Sequence, residues 1–216
     1  MRDTADEPGA LARGRTIEGA ESGQHGSQER VPLSPEDRQA LLRIARQALA
    51  ARLGGENGPE IERVSAALRE PRATFITLWR RGNGGLRGCR GETRPLHALA
   101  ESVAHMAVAA ATDDPRFPPV TYHELPLLRI EINALTPLEP IAPDEIVIGR
   151  HGLLIVRGGN AGLLLPEVPV RFGWDRTTFL ESLCHKAWLP ARAWTRSDTR
   201  LYGFETEEGE EDESEV

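Results

Sequence analysis

The chain has 216 residues, 39% of them hydrophobic, and a formal net charge of −7, which suits one domain or a tight pair of subdomains. No apolar run approaches the ~18–20 residues that span a bilayer, and no apolar h-region marks a secretory signal, so a cytoplasmic protein is expected. With −2 in residues 1–32 and −8 in residues 205–216 set against the total of −7, residues 33–204 carry +3, too little to indicate a nucleic-acid partner.

Residues 1–32 hold few large apolar side chains and are expected to form a disordered arm, because they bury too little surface to offset ordering entropy. Ser34-Pro35-Glu36-Asp37 then opens a helix with a cap, a first-turn proline and two acids at the positive end of the dipole. Leu41, Leu42, Ala45, Ala48, Leu49 and Leu53 continue it at helical spacing, and Gly54-Gly55 ends it. A short helix is expected within residues 59–70. Residues 73–79 are rich in β-branched and aromatic side chains and read as a strand. Gly82-Asn83-Gly84-Gly85 turns it back into a second strand over residues 86–91. A helix over residues 96–111 follows, with Leu96, Leu99, Val103, Met106, Val108 and Ala110 apolar. Pro118 and Pro119 mark a rigid loop. Residues 128–135 alternate, with Leu128, Ile130, Ile132 and Ala134 on one face and Arg129, Glu131 and Asn133 on the other. A hairpin joins residues 152–156 to 161–165, Asp175 caps a helix over residues 176–188, and residues 202–205 supply an edge strand. Residues 205–216 carry eight acids and no base, so a solvated, disordered tail is expected. The folded part, residues 33–204, reads as a single α+β domain: a mainly antiparallel sheet with flanking helices.

The segment Gly84-Gly85-Leu86-Arg87-Gly88-Cys89-Arg90-Gly91 is the most unusual locally. Glycine weakens a strand interior unless another backbone or a ligand comes close. Arg87 and Cys89 stand two apart, which on a regular strand sets them on one face. A guanidinium there would favour the thiolate of a cysteine whose free pKa is ~8.5. A nucleophilic cysteine needs a base, and among the histidines His151, flanked by turn residues and Gly152, is the best candidate. Two readings stay open. In one, Cys89 acts as a thiolate with Arg87 and His151. In the other, Gly88 and Gly91 expose backbone N–H groups that hold an anion, and Asp114, Arg116, Phe117 and Gly152 line a binding site without covalent chemistry. The small thiol could equally pack a hairpin against a helix. No cofactor is indicated. A metal set of Cys89, His151, Cys184 and His185 lacks any standard spacing.

The segment Leu86–Gly91 resembles the LRGCIG signature of the AmmeMemoRadiSam system protein A family. That family includes the human protein of the Alport syndrome, intellectual disability, midface hypoplasia and elliptocytosis region. Further matches run in order: Asp114–Phe117 with Pro119-Val120 (DPRFxPV), Glu124-Leu125, Gly149–Leu153 (GxHGL), Leu165–Val168, Gly173–Asp175, and Phe179-Leu180 to Leu183-Cys184. Arg90 departs from the usual Ile and Trp188 from the usual Gly. The resemblance implies an α+β fold with a cleft between a larger and a smaller subdomain. It also implies association with a Memo-like protein and a radical S-adenosylmethionine protein, and it supplies no reaction. Carried over residue by residue, it falls on Arg87, Gly88, Cys89, Gly91, Asp114, Arg116, Phe117, His151 and Gly152.

Overall fold

A computed structural model describes residues 32–212. In chain order its elements are α1 (Pro35–Gly54), the single turn α2 (Ala66–Arg69), β1 (Thr74–Arg80), β2 (Leu86–Gly91), α3 (Leu99–Thr112), β3 (Leu128–Leu135), β4 (Glu139–Pro140), β5 (Gly152–Arg157), β6 (Asn160–Leu164), α4 (Glu167–Arg171), α5 (Arg176–Lys186), β7 (Arg200–Phe204) and β8 (Thr206–Glu210). They divide into two units, residues 32–135 with 207–212, and residues 136–206. The α+β class holds, and the strands divide between two four-stranded sheets.

The first unit orders its strands β2-β1-β3-β8. The capping box that opens α1 is complete: the Asp37 N–H donates to Ser34 Oγ, and the Ser34 N–H donates to Asp37 Oδ2, both at 3.1 Å. Helix α3 lies on β1 and β2, and α1 packs on α3. Between helices and sheet sit Leu41, Leu49, Leu99 and Val103 with Ile76 and Leu78 of β1 and Ile130 and Ile132 of β3. Each such fully buried side chain contributes ~1.5–3 kcal/mol relative to exposure. The alternation read along residues 128–135 is realised, since the Leu128, Ile130, Ile132 and Ala134 face is the one in this core.

The second unit orders its strands β4-β7-β5-β6. The hairpin β5–β6 pairs Val156 with Ala161 and Arg157 with Asn160, and α5 covers β6 and β5 with Phe179, Leu180, Leu183 and Cys184 buried. Helix α5 stops at Lys186 rather than Trp188. The N–H groups of Trp188 and Leu189 close its end on the carbonyls of His185 and Cys184, each at 2.9 Å. This closure places Trp188 at φ 58°, the one positive value outside glycine among the described residues.

Two further expectations, on the start of α3 and on the acidic tail, are corrected. Helix α3 begins at Leu99, not Leu96. The chain before it is held by an isolated bridge between Pro71 and Ala98, and Leu96 is exposed. The proline loop continues into a 3₁₀ helix over Tyr122–Leu127, opened by a capping box between Thr121 and Glu124. The acidic tail is not wholly solvated. Residues 206–210 form β8, and carboxylates from Glu207 to Glu211 pair with Arg72, Arg129, Arg46 and Arg81. Self-repulsion of the tail is offset by arginines from the folded part, and tail composition alone does not reveal that pairing. The expected N-terminal arm lies outside the described residues except for Pro32.

Candidate functional site

The register of β1 with β2 and β3 builds one row across the first sheet. Thr77 stands opposite Cys89 on one side and opposite Glu131 on the other. Alternation then puts Phe75, Thr77, Trp79, Cys89, Gly91, Glu131 and Asn133 on the sheet face away from the Ile76–Leu78 core. Thr77 Oγ1 donates to Cys89 Sγ at 3.5 Å. Trp79 Nε1 and Asn133 Nδ2 donate to Glu131 at 2.7 and 2.9 Å. Burial raises the Glu131 carboxyl above its ordinary range, against the lowering effect of the Trp79 and Asn133 hydrogen bonds.

Arg87 does not take part in that row. The register steps from Leu78↔Gly88 to Trp79↔Leu86, so Arg87 is the extra residue of a β-bulge. A bulge interrupts the alternation that would set Arg87 beside Cys89. Its buried guanidinium instead donates through Nε and Nη2 to the Glu124 carboxylate at 2.9 and 3.2 Å, and through Nη1 to the Pro118 carbonyl at 3.0 Å. These bonds hold Glu124 down at a pKa of about 2, burial opposing and the Thr121 bonds assisting.

The guanidinium that acts on Cys89 belongs to Arg116. Asp114 is buried and bridges the two residues. Its Oδ2 accepts from the Cys89 N–H at 2.8 Å and from Arg116 Nη2 at 2.6 Å, and its Oδ1 accepts from Arg116 Nε at 2.9 Å. Burial opposes ionisation of Asp114, yet these bonds outweigh it and hold the carboxyl below its usual range. Arg116 also lies over the Phe117 ring, 5.5 Å from its centroid. Cys89 is 7% exposed. Burial raises its thiol pKa and prevails over the lowering effects of the Thr77 hydrogen bond and the Arg116 charge. Of the readings left open by the sequence, the burial of Cys89 and the upward push on its thiol match the small packed thiol better than the activated thiolate.

The two glycines have packing reasons. A Cβ on Gly88 would stand 2.1 Å from the Ala110 carbonyl oxygen of α3, and one on Gly91 would stand 2.2 Å from the Phe75 ring. The N–H taken up at this strand is that of Cys89, by Asp114. Six of the expected residues thus gather in the first unit around β2: Gly88, Cys89, Gly91, Asp114, Arg116 and Phe117. Arg87 joins them as a fastener. His151 and Gly152 belong to the second unit, where His151 Nδ1 accepts from the Val147 N–H at 3.2 Å and Gly152 packs against the Phe204 ring. The Val147 bond casts Nδ1 as an acceptor.

Sequence reasoning missed Thr77, Trp79, Glu124, Glu131 and Asn133 as members of the arrangement. The shared face of Glu131 and Asn133 was legible in their spacing, but the strand pairing that sets Thr77 between Cys89 and Glu131 was not. Both cysteines are free and buried. Among the described residues no three His, Cys, Asp or Glu side chains gather as a metal set, and no helix is long and apolar enough to cross a membrane.

The AMMECR1 family profile matches residues 42–208. "Protein MK0488" of Methanopyrus kandleri is 42% identical over 193 residues, covering 85% of this chain and 92% of its own length. "Protein PH0010" of Pyrococcus horikoshii is 41% identical over 184 residues, covering 80% and 88%. The crystal structure of that uncharacterized Pyrococcus protein superposes with a TM-score of 0.75 at 38% identity, covering 83% of this chain and 94% of the other. A profile spanning most of the chain, relatives above the 40% level and a matching fold lead to one assignment: the chain belongs to the AMMECR1 family.

Proposed function

We propose that this chain is a non-catalytic binding component of a modification system that includes a Memo-like protein and a radical S-adenosylmethionine protein. Its recognition element is the loop Asp114–Pro119, presented by β2. One observation carries this reading. The loop is fastened at both ends to the strand that precedes it in the chain, by Asp114 on the Cys89 N–H and by the Pro118 carbonyl on Arg87, while Pro115, Arg116, Pro118 and Pro119 stay exposed. A loop held in one conformation loses little entropy when a partner meets it. Three prolines and the Arg116–Phe117 contact add to that rigidity.

On this reading Cys89 supports the loop through its backbone, and its side chain fills a small space beside Thr77. A nucleophilic role for Cys89 with Arg87 and His151 has less support. The thiol is raised by burial, Arg87 is engaged by Glu124, and His151 Nδ1 is engaged by its own turn.

Calorimetry of the full chain against each of the two partner proteins at about 10 μM tests the proposal. Binding to at least one partner is expected, weakened about tenfold by Phe117→Ala and unchanged by Cys89→Ser. Absence of binding to both partners, or a Phe117→Ala variant that binds as well as the unsubstituted chain, refutes it. Alkylation of Cys89 in the native chain faster than in the denatured chain would restore the nucleophilic reading.

A further inference from the structure

Strand β8 differs from its neighbours in what attaches it. Strands β1 and β3 hold their places with buried Ile76, Leu78, Ile130 and Ile132. β8 reads Thr-Glu-Glu-Gly-Glu and brings no aliphatic or aromatic side chain to the sheet. Its attachment is main-chain pairing beside β3 together with a set of ion pairs. Glu207 meets Arg72 Nη1 at 2.6 Å and also accepts from the Leu33 N–H at 3.4 Å. Glu210 pairs with Arg129. Glu211 accepts from Arg46 Nε at 3.1 Å and from Arg81 Nη2 at 3.3 Å. Its carboxylate also accepts from the Ile130 N–H at 3.0 Å, while its own N–H donates to the Ile130 carbonyl at 3.1 Å.

The four arginines come from separate places in the first unit. Arg46 lies in α1, Arg72 before β1, Arg81 after β1 and Arg129 in β3. Three of them are fixed independently of the tail: Arg46 donates to the carbonyls of Leu125 and Leu128 at 2.6 and 2.9 Å, Arg72 donates to those of Leu135 and Ala134 at 3.1 and 3.2 Å, and Arg81 Nε donates to Leu128 at 3.1 Å. Guanidinium groups so placed, beside a strand edge whose N–H and C=O groups face outward, form a receptor for an extended, acidic polypeptide. Main-chain bonds supply the attachment, and carboxylates at the positions of Glu207, Glu210 and Glu211 the selectivity.

We propose that the outer edge of β3, lined by Arg46, Arg72, Arg81 and Arg129, is a docking groove for an extended acidic segment of a partner protein, which this chain fills in cis with residues 206–211. The pairs of Glu210 with Arg129 and of Glu211 with Arg46 are partly exposed and are weakened by salt, and a strand without an apolar anchor opens at low free-energy cost compared with the core strands. The tethered tail competes at high effective concentration, so the groove becomes available when the tail carboxylates are neutralised or displaced.

The test uses the full chain carrying E207Q, E210Q and E211Q together, with a fluorescein-labelled peptide Glu-Thr-Glu-Glu-Gly-Glu-Glu-Asp as the probe in anisotropy titrations. The substituted chain is expected to bind the probe at least about tenfold tighter than the unsubstituted chain, with affinity falling at least about fivefold between about 50 and about 300 mM salt. Proline at the probe position matching Glu211 removes the N–H that meets Ile130 and is expected to weaken binding about fivefold. Equal binding by the two chains, or a proline probe that binds as well as the original, overturns the proposal. So does concentration-dependent dimerisation of the unsubstituted chain, which would give the groove to a second copy. Should the triple variant fail to fold, hydrogen exchange on the unsubstituted chain decides. Amides of residues 207–211 are expected to exchange faster at higher salt while those of Ile76 and Leu78 do not, and salt-independent exchange overturns the proposal.

Discussion

Replacing Gly88 by alanine tests whether the signature glycine answers to packing. A methyl there would lie 2.1 Å from the Ala110 carbonyl oxygen, whereas real Cβ contacts essentially never fall under 3.0 Å. The difference of 0.9 Å has to be opened between β2 and α3. The obstructing atom is helix backbone, so no rotamer change relieves it, and the neighbours of Ala110 on α3 include the buried Ala107 and Ala111. Overpacking of a well-filled core costs ~1–3 kcal/mol, and a backbone obstruction places Gly88→Ala near ~3 kcal/mol. At 2–4 °C per kcal/mol for a chain of this size, the melting temperature should fall by about 6–12 °C. The control is Gly85→Ala, whose Cβ would meet only the flexible side chain of Asn83, Oδ1 nearest at 3.2 Å, and which should stay within ~0.5 kcal/mol of the unsubstituted chain. Urea titrations followed by circular dichroism report both values. If Gly88→Ala proves no more destabilising than Gly85→Ala, the close approach of β2 to α3 is not what requires glycine.

Two further outcomes follow from the same reasoning. The Glu124 carboxyl is depressed from 4.5 to about 2 in the folded chain, so the stability it confers is fully present above pH 4.5 and is lost as pH falls toward 2. With its partial exposure allowed for, that amounts to ~1–2 kcal/mol. Urea titrations at about pH 6 and about pH 3 should show Glu124→Gln losing ~1 kcal/mol less than the unsubstituted chain on acidification, and equal losses would contradict the Arg87 clasp. Trp188 sits at φ 58° with 88% of its surface exposed, so Trp188→Gly should raise stability by ~1 kcal/mol, read as a higher melting temperature.

Much of the fold was legible because local signals and tertiary structure agree. Ser34 and Asp37 announce α1 and form its capping box. The glycines at 82, 84 and 85 announce the β1–β2 hairpin, and Asp175 caps α5 by accepting from the Thr178 N–H at 2.7 Å. Misreadings arose where long-range contacts prevail. Leu96 fits a helical pattern, but bridge formation at Ala98 delays α3. The tail composition signals solvation, but four arginines distant in sequence gather its carboxylates. At the candidate site only part of the arrangement was legible, since Thr77, Trp79, Glu131 and Asn133 join it through strand pairing, and the roles of the residues named were not. Period-two spacing puts Arg87 beside Cys89, and one bulge, which leaves no mark in the sequence, sends that guanidinium to Glu124. Arg116 then takes its place through Asp114, a partner that the DPRF segment carries but whose attachment to the Cys89 N–H only the folded chain displays.

The ionisation of Cys89 tests the account most directly. In a Cys184→Ala variant the remaining thiolate can be followed by ultraviolet absorbance as pH is raised. The account predicts a midpoint above the ordinary thiol range, because burial outweighs Thr77 and Arg116. A midpoint at or below about pH 7.5 would mean an activated thiolate and would contradict a strand whose cysteine serves only to hold the loop.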